Sequence, residues 1–232
     1  MTKTTELLID IMIVAAVSVL AFLLEGFANA RGWLAMGAGA RGVSAVLAGA
    51  IAAIALVFVR GGSFADLGFK RPERWARVPL QVLVILVVFV AAQTLVPLAL
   101  SVFITLPEPD FSKYGDISGN LGAALSLALI LPLTAALPEE IIYRGFLMGR
   151  LSDLFGRSKS GAILTVGVQA LIFGSIHFQW GIGGMMMTFI MGVIWGSAYL
   201  LCDRNLWVVI LAHSGGHILL ATQLYLGDAA IL

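Results

Sequence analysis

The chain has 232 residues, of which 60% are hydrophobic and 12% are charged, and its formal net charge is +1. A mean hydropathy of +1.00, with apolar runs too long for the core helices of a soluble domain, predicts a polytopic membrane protein. The net charge says nothing about nucleic acid, and since the sequence has no basic block that would suggest such a partner, we expect none. The single cysteine, Cys202, excludes an internal disulfide, and we interpret it as a small buried residue rather than a nucleophile.

Seven apolar stretches are each long enough to cross about 30 Å of hydrocarbon as a helix. In chain order they are Leu7 to Leu24, Val43 to Val59, Val78 to Thr105, Leu121 to Leu137, Ala162 to Phe178, Gly183 to Leu201 and Leu206 to Leu224. The third is long enough to tilt or to break at Pro97, and the fourth can extend through Arg150. We therefore predict an all-α, polytopic transmembrane helical bundle of about seven to eight spans. It forms a single integral membrane domain over residues 1–232.

Two hydrophilic connections are rich in basic residues. The segment from Arg60 to Arg77 carries five of them and the segment from Arg144 to Lys159 carries four, so the positive-inside rule places both on the cytoplasmic side. The connection from Glu108 to Asp116 is acidic and fits the other side, whereas Arg31 and Arg41 disagree with this arrangement. We expect a protein integral to the cytoplasmic membrane, with its amino terminus inside and its carboxyl terminus outside.

The first stretch also imitates a signal peptide, because Lys3 and an apolar run precede the small-residue sequence Ala28-Asn29-Ala30. The run is of span length and Glu25 intervenes, so we expect the stretch to stay in the membrane, with cleavage as the alternative. The glycine-rich segment from Gly37 to Gly49 indicates close helix packing rather than a phosphate-binding loop.

Two adjacent carboxylates lie in the region that follows the fourth stretch. Glu139 comes directly after Pro138, which suits the first turn of a helical segment. Successive helix residues point about 100° apart, so Glu139 and Glu140 face different surroundings. Glu140 and Arg144 have the i, i+4 spacing with the acid first, which favours an ion pair on one helix face. This pair leaves Glu139 free for another role.

All three histidines of the chain also lie in apolar stretches. Phe173 and His177 are spaced i, i+4, and so are His213 and His217, so each pair lies on one face of a helix. Together with Glu139, the histidines are expected to converge between three helices. An ionisable group near the bilayer centre costs at least ~2.5 to 3.5 kcal/mol, so the cluster indicates a functional site. For a single histidine, an interhelical hydrogen bond is the alternative interpretation.

Three spaced motifs carry a resemblance to a known family. They are Glu139-Glu140-Ile141-Ile142-Tyr143-Arg144 (EExxxR), Phe173-Gly174-Ser175-Ile176-His177 (FxxxH) and His213-Ser214-Gly215-Gly216-His217 (HxxxH). With Asp66-Leu67-Gly68-Phe69-Lys70-Arg71-Pro72 upstream, they resemble the CPBP (Abi) family of intramembrane glutamate proteases or metalloproteases. This family includes CAAX prenyl endopeptidases and bacteriocin-processing and immunity proteins. The resemblance covers about Asp66 to Leu224, and the motif-bearing protease core is expected at about 121–224.

The resemblance implies a membrane-embedded endopeptidase that hydrolyses a peptide bond in a membrane-associated protein or peptide. In such an enzyme Glu139, together with His177, activates a water molecule that attacks the scissile carbonyl. His213 and the residue four positions later stabilise the oxyanion. The family typically has Asn at that last position, whereas this chain has His217. A neutral imidazole can also donate one hydrogen bond, so the substitution is chemically tolerable.

Three further residues are expected to support these four. Arg144 pairs with Glu140, neutralises one of the two adjacent carboxylates and fixes the helix end. Phe173 packs beside His177 and excludes water. No cofactor is required by this mechanism.

A zinc site is the rival mechanism, because His213 and His217 have the ligand spacing found on zinc-binding helices, and Glu139 with His177 would complete four ligands. The sequence lacks the intervening glutamate of HExxH, and four protein ligands leave no open position for a catalytic water. The rival functions are a non-proteolytic immunity or scaffold protein and, less favoured, a proton-coupled transporter. Substrate identity, its prenylation and the oligomeric state stay open.

The depth of the residues in the membrane poses a geometric difficulty. Glu139 lies about 11 residues from the inner helix end at Arg150, and His177 lies about 17 residues from the start of its own helix. At 1.5 Å per residue the mismatch is ~9 Å. We therefore expect a break or kink at Pro132 and Pro138. The cavity between the helices is expected to open toward the cytoplasmic side.

Overall fold

The computed structural model describes residues 2–33 and 42–227, and within these ranges the fold is helical, with no strand. Its long helices are α1 (Lys3–Ala30), α2 (Val43–Val59), α3 (Val78–Leu100), α4 (Leu121–Phe155), α5 (Lys159–Ser175), α6 (Gly181–Leu201) and α7 (Leu206–Leu226). Short 3₁₀ turns lie in the connections at Trp75–Arg77, Ser112–Tyr114 and Phe178–Trp180.

The helices confirm the prediction of an all-α membrane protein. Within the described ranges, five helical segments are long and apolar enough to cross a membrane, namely those that contain α1, α3, α4, α6 and α7. The shorter apolar helices α2 and α5 have 17 residues each, which is the lower limit for spanning the hydrocarbon core. The chain is therefore integral to the membrane, while the count of seven to eight spans stays a prediction.

The helices run between two ends of the bundle, and we call one of them the basic end. It consists of the start of α1, the connection 60–77, the segment from Arg150 to Lys159 that joins α4 to α5, and the turn 202–205. A backbone hydrogen bond joins the connection 60–77 to the start of α7, where the Leu206 amide donates to the Gly68 carbonyl oxygen at 2.8 Å. Asp10 of α1 adds ion pairs to Arg60 at 2.8 Å and to Arg150 at 3.2 Å. Cys202 lies in the turn and is only half-buried, less than predicted.

Among the described residues, the opposite end consists of 31–33 and Gly42, the connections 101–120 and 176–180, and the end of α7. Here the Asp110 amide donates to the Trp180 carbonyl oxygen at 3.1 Å, and the Gly119 amide donates to that of Tyr225 at 2.8 Å. Consecutive helices therefore alternate in direction between the two ends, as the loop charges predicted.

The close helix packing predicted for the glycine-rich segment is visible at its last residue. A Cβ atom added to Gly49 would collide with Ser18 of α1 and lie 3.0 Å from Ile142 of α4. The glycine therefore lets α2 approach both helices that flank the site. The part of the segment at 34–41 lies outside the described residues.

We predicted a break or kink at Pro132 and Pro138, and the break does not occur, because helix α4 continues through both prolines. Two wide turns of π-helix, Pro132–Ala136 and Ile141–Leu147, flank a single α-helical turn at Leu137–Glu140. A proline cannot donate the usual backbone hydrogen bond, and a locally widened helix accommodates it without a break. The two glutamates lie in the turn between the π-helical segments.

The same helix removes the depth difficulty. It ends at Phe155 and not at Leu137 or Arg150, so Glu139 lies 16 residues from its end. His177 lies 18 residues from the start of α5 at Lys159. The remaining mismatch is ~3 Å along the bundle. Helix α3 likewise continues through Pro97.

Candidate active site

The pair of Glu140 and Arg144 forms as the i, i+4 spacing predicts. An Arg144 Nη1 hydrogen donates to Glu140 Oε1 at 2.8 Å, and both side chains are fully buried. The Arg144 guanidinium also lies 4.7 Å from the centroid of the Phe173 ring. A charge at this depth is tolerated because it meets an opposite charge and an aromatic face.

His213 of α7 completes a three-residue contact with the same carboxylate oxygen. Its Nδ1 lies 2.8 Å from Glu140 Oε1, and since an ionised carboxylate only accepts hydrogen bonds, Nδ1–H is the donor. The neutral ring then carries its lone pair on Nε2. This nitrogen lies 3.8 Å from Glu139 Oε2, which is beyond hydrogen-bond distance. Glu140 thus sets the tautomer and orientation of His213 and directs Nε2 toward Glu139.

His217 lies one helical turn beyond His213, and the two rings stack with centroids 4.6 Å apart. Both side chains are buried, and among the described residues neither Nε2 atom has a hydrogen-bond partner. A buried polar group without a partner costs about 1 to 3 kcal/mol. Two such nitrogens in adjacent rings therefore indicate a site that binds polar atoms of a ligand.

His177 lies just beyond the end of α5. Its Nδ1 donates to the backbone carbonyl oxygen of Phe173 at 2.7 Å, which leaves the Nε2 lone pair available. The ring lies between Phe173, at 4.9 Å, and Trp180, at 4.8 Å between centroids. Phe173 is fully buried and also contacts Tyr143 of α4 with a centroid distance of 5.0 Å. It therefore packs α5 against α4, beside the histidine.

A cavity of about 310 Å³ connects these side chains, and Glu139, His177, His213 and His217 all line it. The structure therefore brings together the four residues that the sequence selected as catalytic. Most other wall residues are apolar, and several come from α1 and α2, including Val19, Phe22 and Val46. Three further residues do not line the cavity. Glu140 and Phe173 contact residues that do, and Arg144 contacts both of them.

Residues 121–219 match a family model described as Type II CAAX prenyl endopeptidase Rce1-like. This segment is similar to the Rce1-like family. The match confirms the resemblance that the motifs suggested, and it contains all three motifs from Glu139 to His217. It identifies a family of membrane-embedded proteases. No curated protein and no solved structure matches the chain.

Sequence reasoning missed a group of cavity residues that lies mainly outside the Rce1-like segment. Lys113 and Tyr114 line the cavity together with Trp180. Lys113 Nζ lies 4.4 Å from the centroid of the Trp180 ring and 4.8 Å from that of Tyr114. Burial lowers the pKa of the Lys113 ammonium. The one available signal was a single basic residue in an otherwise acidic connection.

The zinc hypothesis requires Glu139, His177, His213 and His217 to converge on one ion. Among the described residues, no group of three or more His, Cys, Asp or Glu side chains is arranged to hold a metal. The four side chains, as they are placed, therefore do not form a metal site.

Proposed function

We propose that the protein is an intramembrane endopeptidase that hydrolyses a peptide bond in a membrane-associated protein or peptide. The observation that carries the proposal is the shared cavity, which the Glu139 carboxylate and three imidazoles line inside an apolar bundle. The Rce1-like segment supports it at the level of the family.

In the first step Glu139 and His177 act on one water molecule. Glu140 is occupied by Arg144 and His213, whereas Glu139 is free to accept a proton. His177 Nε2 accepts the second hydrogen bond of the water and orients it. As the proton moves to Glu139, the water oxygen bonds to the scissile carbonyl carbon and the carbonyl electrons move to its oxygen.

The resulting oxyanion needs hydrogen-bond donors in the same cavity. His217 supplies one when its proton is on Nε2, the buried nitrogen without a partner. His213 holds its Nδ1 proton toward Glu140, so its Nε2 donates only after gaining a second proton, for which Glu139 is the nearest source. The intermediate collapses when His213 returns this proton to Glu139, the C–N bond breaks and the proton passes from Glu139 to the leaving amine.

Mass spectrometry of membrane peptides tests this proposal. Membranes that contain the wild-type protein are expected to yield new peptide ends that are missing from membranes with Glu139→Gln. These ends identify the substrate and the scissile position together, and they decide whether CAAX-type processing is among the reactions. Identical peptide sets in the two samples would contradict the protease and leave the immunity or scaffold protein as the function.

Replacing His217 by the residue that the family typically has provides a test of its role. His217→Asn is expected to keep cleavage within about tenfold of wild type, because an amide also donates one hydrogen bond to the oxyanion. His217→Leu removes the donor and is expected to lower the cleavage rate about 10² to 10³-fold. Rates of both variants in detergent, after thermal scans show equal folding, give the comparison. Equal loss in the two variants would contradict the donor role.

Metal removal separates the glutamate mechanism from its zinc rival. Purified protein that has been dialysed against a chelator is expected to keep its cleavage rate, because the proposed steps use only side chains and water. Metal analysis of the dialysed sample provides the control. A rate that falls with the bound metal and returns when Zn²⁺ is added back would replace this mechanism by the metal-dependent one.

A further inference from the structure

The cavity reaches only one end of the bundle. Its wall residues from the connections are Gly42, Lys113, Tyr114 and Gln179, together with their neighbours in 176–180. All of these belong to the end that lies opposite the basic end. The helical wall residues agree with this position. Those of α2 lie in its first turns, those of α1 lie in its second half, and those of α4 lie around its centre, from Leu131 to Tyr143. The basic end contributes no described residue to the cavity.

The two ends differ strongly in positive charge. Ten of the 14 Lys and Arg residues belong to the basic end: Lys3, Arg60, Lys70, Arg71, Arg74, Arg77, Arg150, Arg157, Lys159 and Arg204. By sequence, three belong to the opposite end, namely Arg31, Arg41 and Lys113. Arg144 is buried between the ends. The connections are short, so the positive-inside rule applies to them and places the basic end in the cytoplasm.

We propose that the catalytic cavity opens on the non-cytoplasmic face of the membrane and that its substrate is an exported, membrane-anchored polypeptide. This inference rests on the proposed function. It corrects our expectation of a cytoplasmic opening, which is incompatible with the basic loops inside. A scissile bond on the outer flank of a membrane anchor can reach Glu139, whereas a prenylated carboxyl terminus in the cytosol is on the wrong side of the bundle.

The cavity wall suits such a substrate. Val19, Phe22 and Leu131 line it toward the membrane part of the bundle, where an apolar anchor finds matching surface. Lys113 belongs to the part of the cavity wall at the opposite end and lies over two aromatic rings, and the described residues give it no ion-pair partner. The apolar wall therefore contacts the membrane anchor of the substrate, and the Lys113 ammonium contacts its exported part.

Cysteine accessibility in spheroplasts tests the sidedness without any need for activity. In a Cys202→Ala background, we choose Ala135→Cys in the cavity wall, Glu108→Cys at the opposite end and Glu73→Cys at the basic end. A charged, membrane-impermeant methanethiosulfonate added outside is expected to label the first two. It should reach Glu73→Cys only after the membrane is permeabilised.

Leu133→Cys is the matched control for the cavity position. Leu133 lies two residues before Ala135, is 66% exposed on the outside of the bundle and does not line the cavity. A charged reagent does not enter lipid, so this variant is expected to stay unlabelled. Labelling of Ala135→Cys only after permeabilisation, or outside labelling of Glu73→Cys, would overturn the proposal.

The substrate class is tested by the position of the new peptide ends in membranes. The proposal expects them on the exported flanks of anchors, and ends on cytoplasmic segments would overturn it. If wild-type and Glu139→Gln membranes give the same peptides, the protease function fails, and the labelling result still decides on which side the cavity opens. Failure of the function and failure of the sidedness are therefore distinguishable.

Discussion

Glu139→Gln is expected to lower the rate of peptide-bond cleavage about 10² to 10⁴-fold, which is the range that a positioned general base contributes. Gln keeps the shape and the hydrogen-bonding oxygen of Glu but cannot take a proton from water. Glu139 is only 7% exposed and makes no ion pair with a permanent cation in the described structure. Loss of its charge therefore should not weaken the fold, and thermal scans in detergent are expected to match those of wild type.

The control for this variant is Glu73→Gln, which makes the same chemical change on an exposed side chain at the basic end. It should cleave at the wild-type rate. Turnover that is unchanged in Glu139→Gln would remove the proposed mechanism. Loss of turnover together with a lowered melting temperature would instead assign Glu139 a structural role.

His177→Ala adds a test that the two residues act on the same water. The single variant is expected to lose cleavage to a similar degree as Glu139→Gln. Groups that work as one unit show strongly non-additive effects, so the double variant should be about as slow as the slower single variant. Multiplied losses in the double variant would indicate that the two side chains act independently.

The sequence predicted those parts of the site that depend on local helix geometry. The contact of Glu140 with Arg144 needs only the i, i+4 spacing on one helix, and it appears as predicted. The stacking of His213 on His217 follows from the same geometry. The bounds of α2 agree with the predicted stretch, because polar or glycine-rich segments flank it on both sides.

Contacts between distant helices could not be predicted in the same way. The bond from His213 to Glu140 joins residues that are 73 positions apart, and it depends on how α7 is rotated against α4. Spacing motifs do not contain that rotation. We had assigned His213 to the oxyanion, and the motif spacing did not predict that its Nδ1 lies 2.8 Å from Glu140 Oε1.

The predicted helix bounds were wrong where they rested on hydropathy alone. The predicted fourth stretch ended at Leu137, because the motif that follows contains three charged residues within six positions. The structure buries all three in the bundle, so α4 runs on to Phe155. Hydropathy treats Glu140 and Arg144 as two unfavourable charges, whereas the fold neutralises them against each other.

Arg144→Met is expected to lower the free energy of unfolding by about 3 to 5 kcal/mol, because it leaves the fully buried Glu140 carboxylate without its cation. The double variant Glu140→Gln with Arg144→Met removes both charges and keeps an amide oxygen for His213 Nδ1–H. It should regain most of the loss.

Asp153 and Arg157 give the matched pair, with the same i, i+4 spacing and a 3.6 Å contact near the surface. Arg157→Met should cost less than about 1 kcal/mol. Unfolding of all four proteins in one detergent gives the comparison. A double variant as unstable as Arg144→Met would show that the arginine stabilises the bundle through its packing on Phe173, and not by compensating a buried charge.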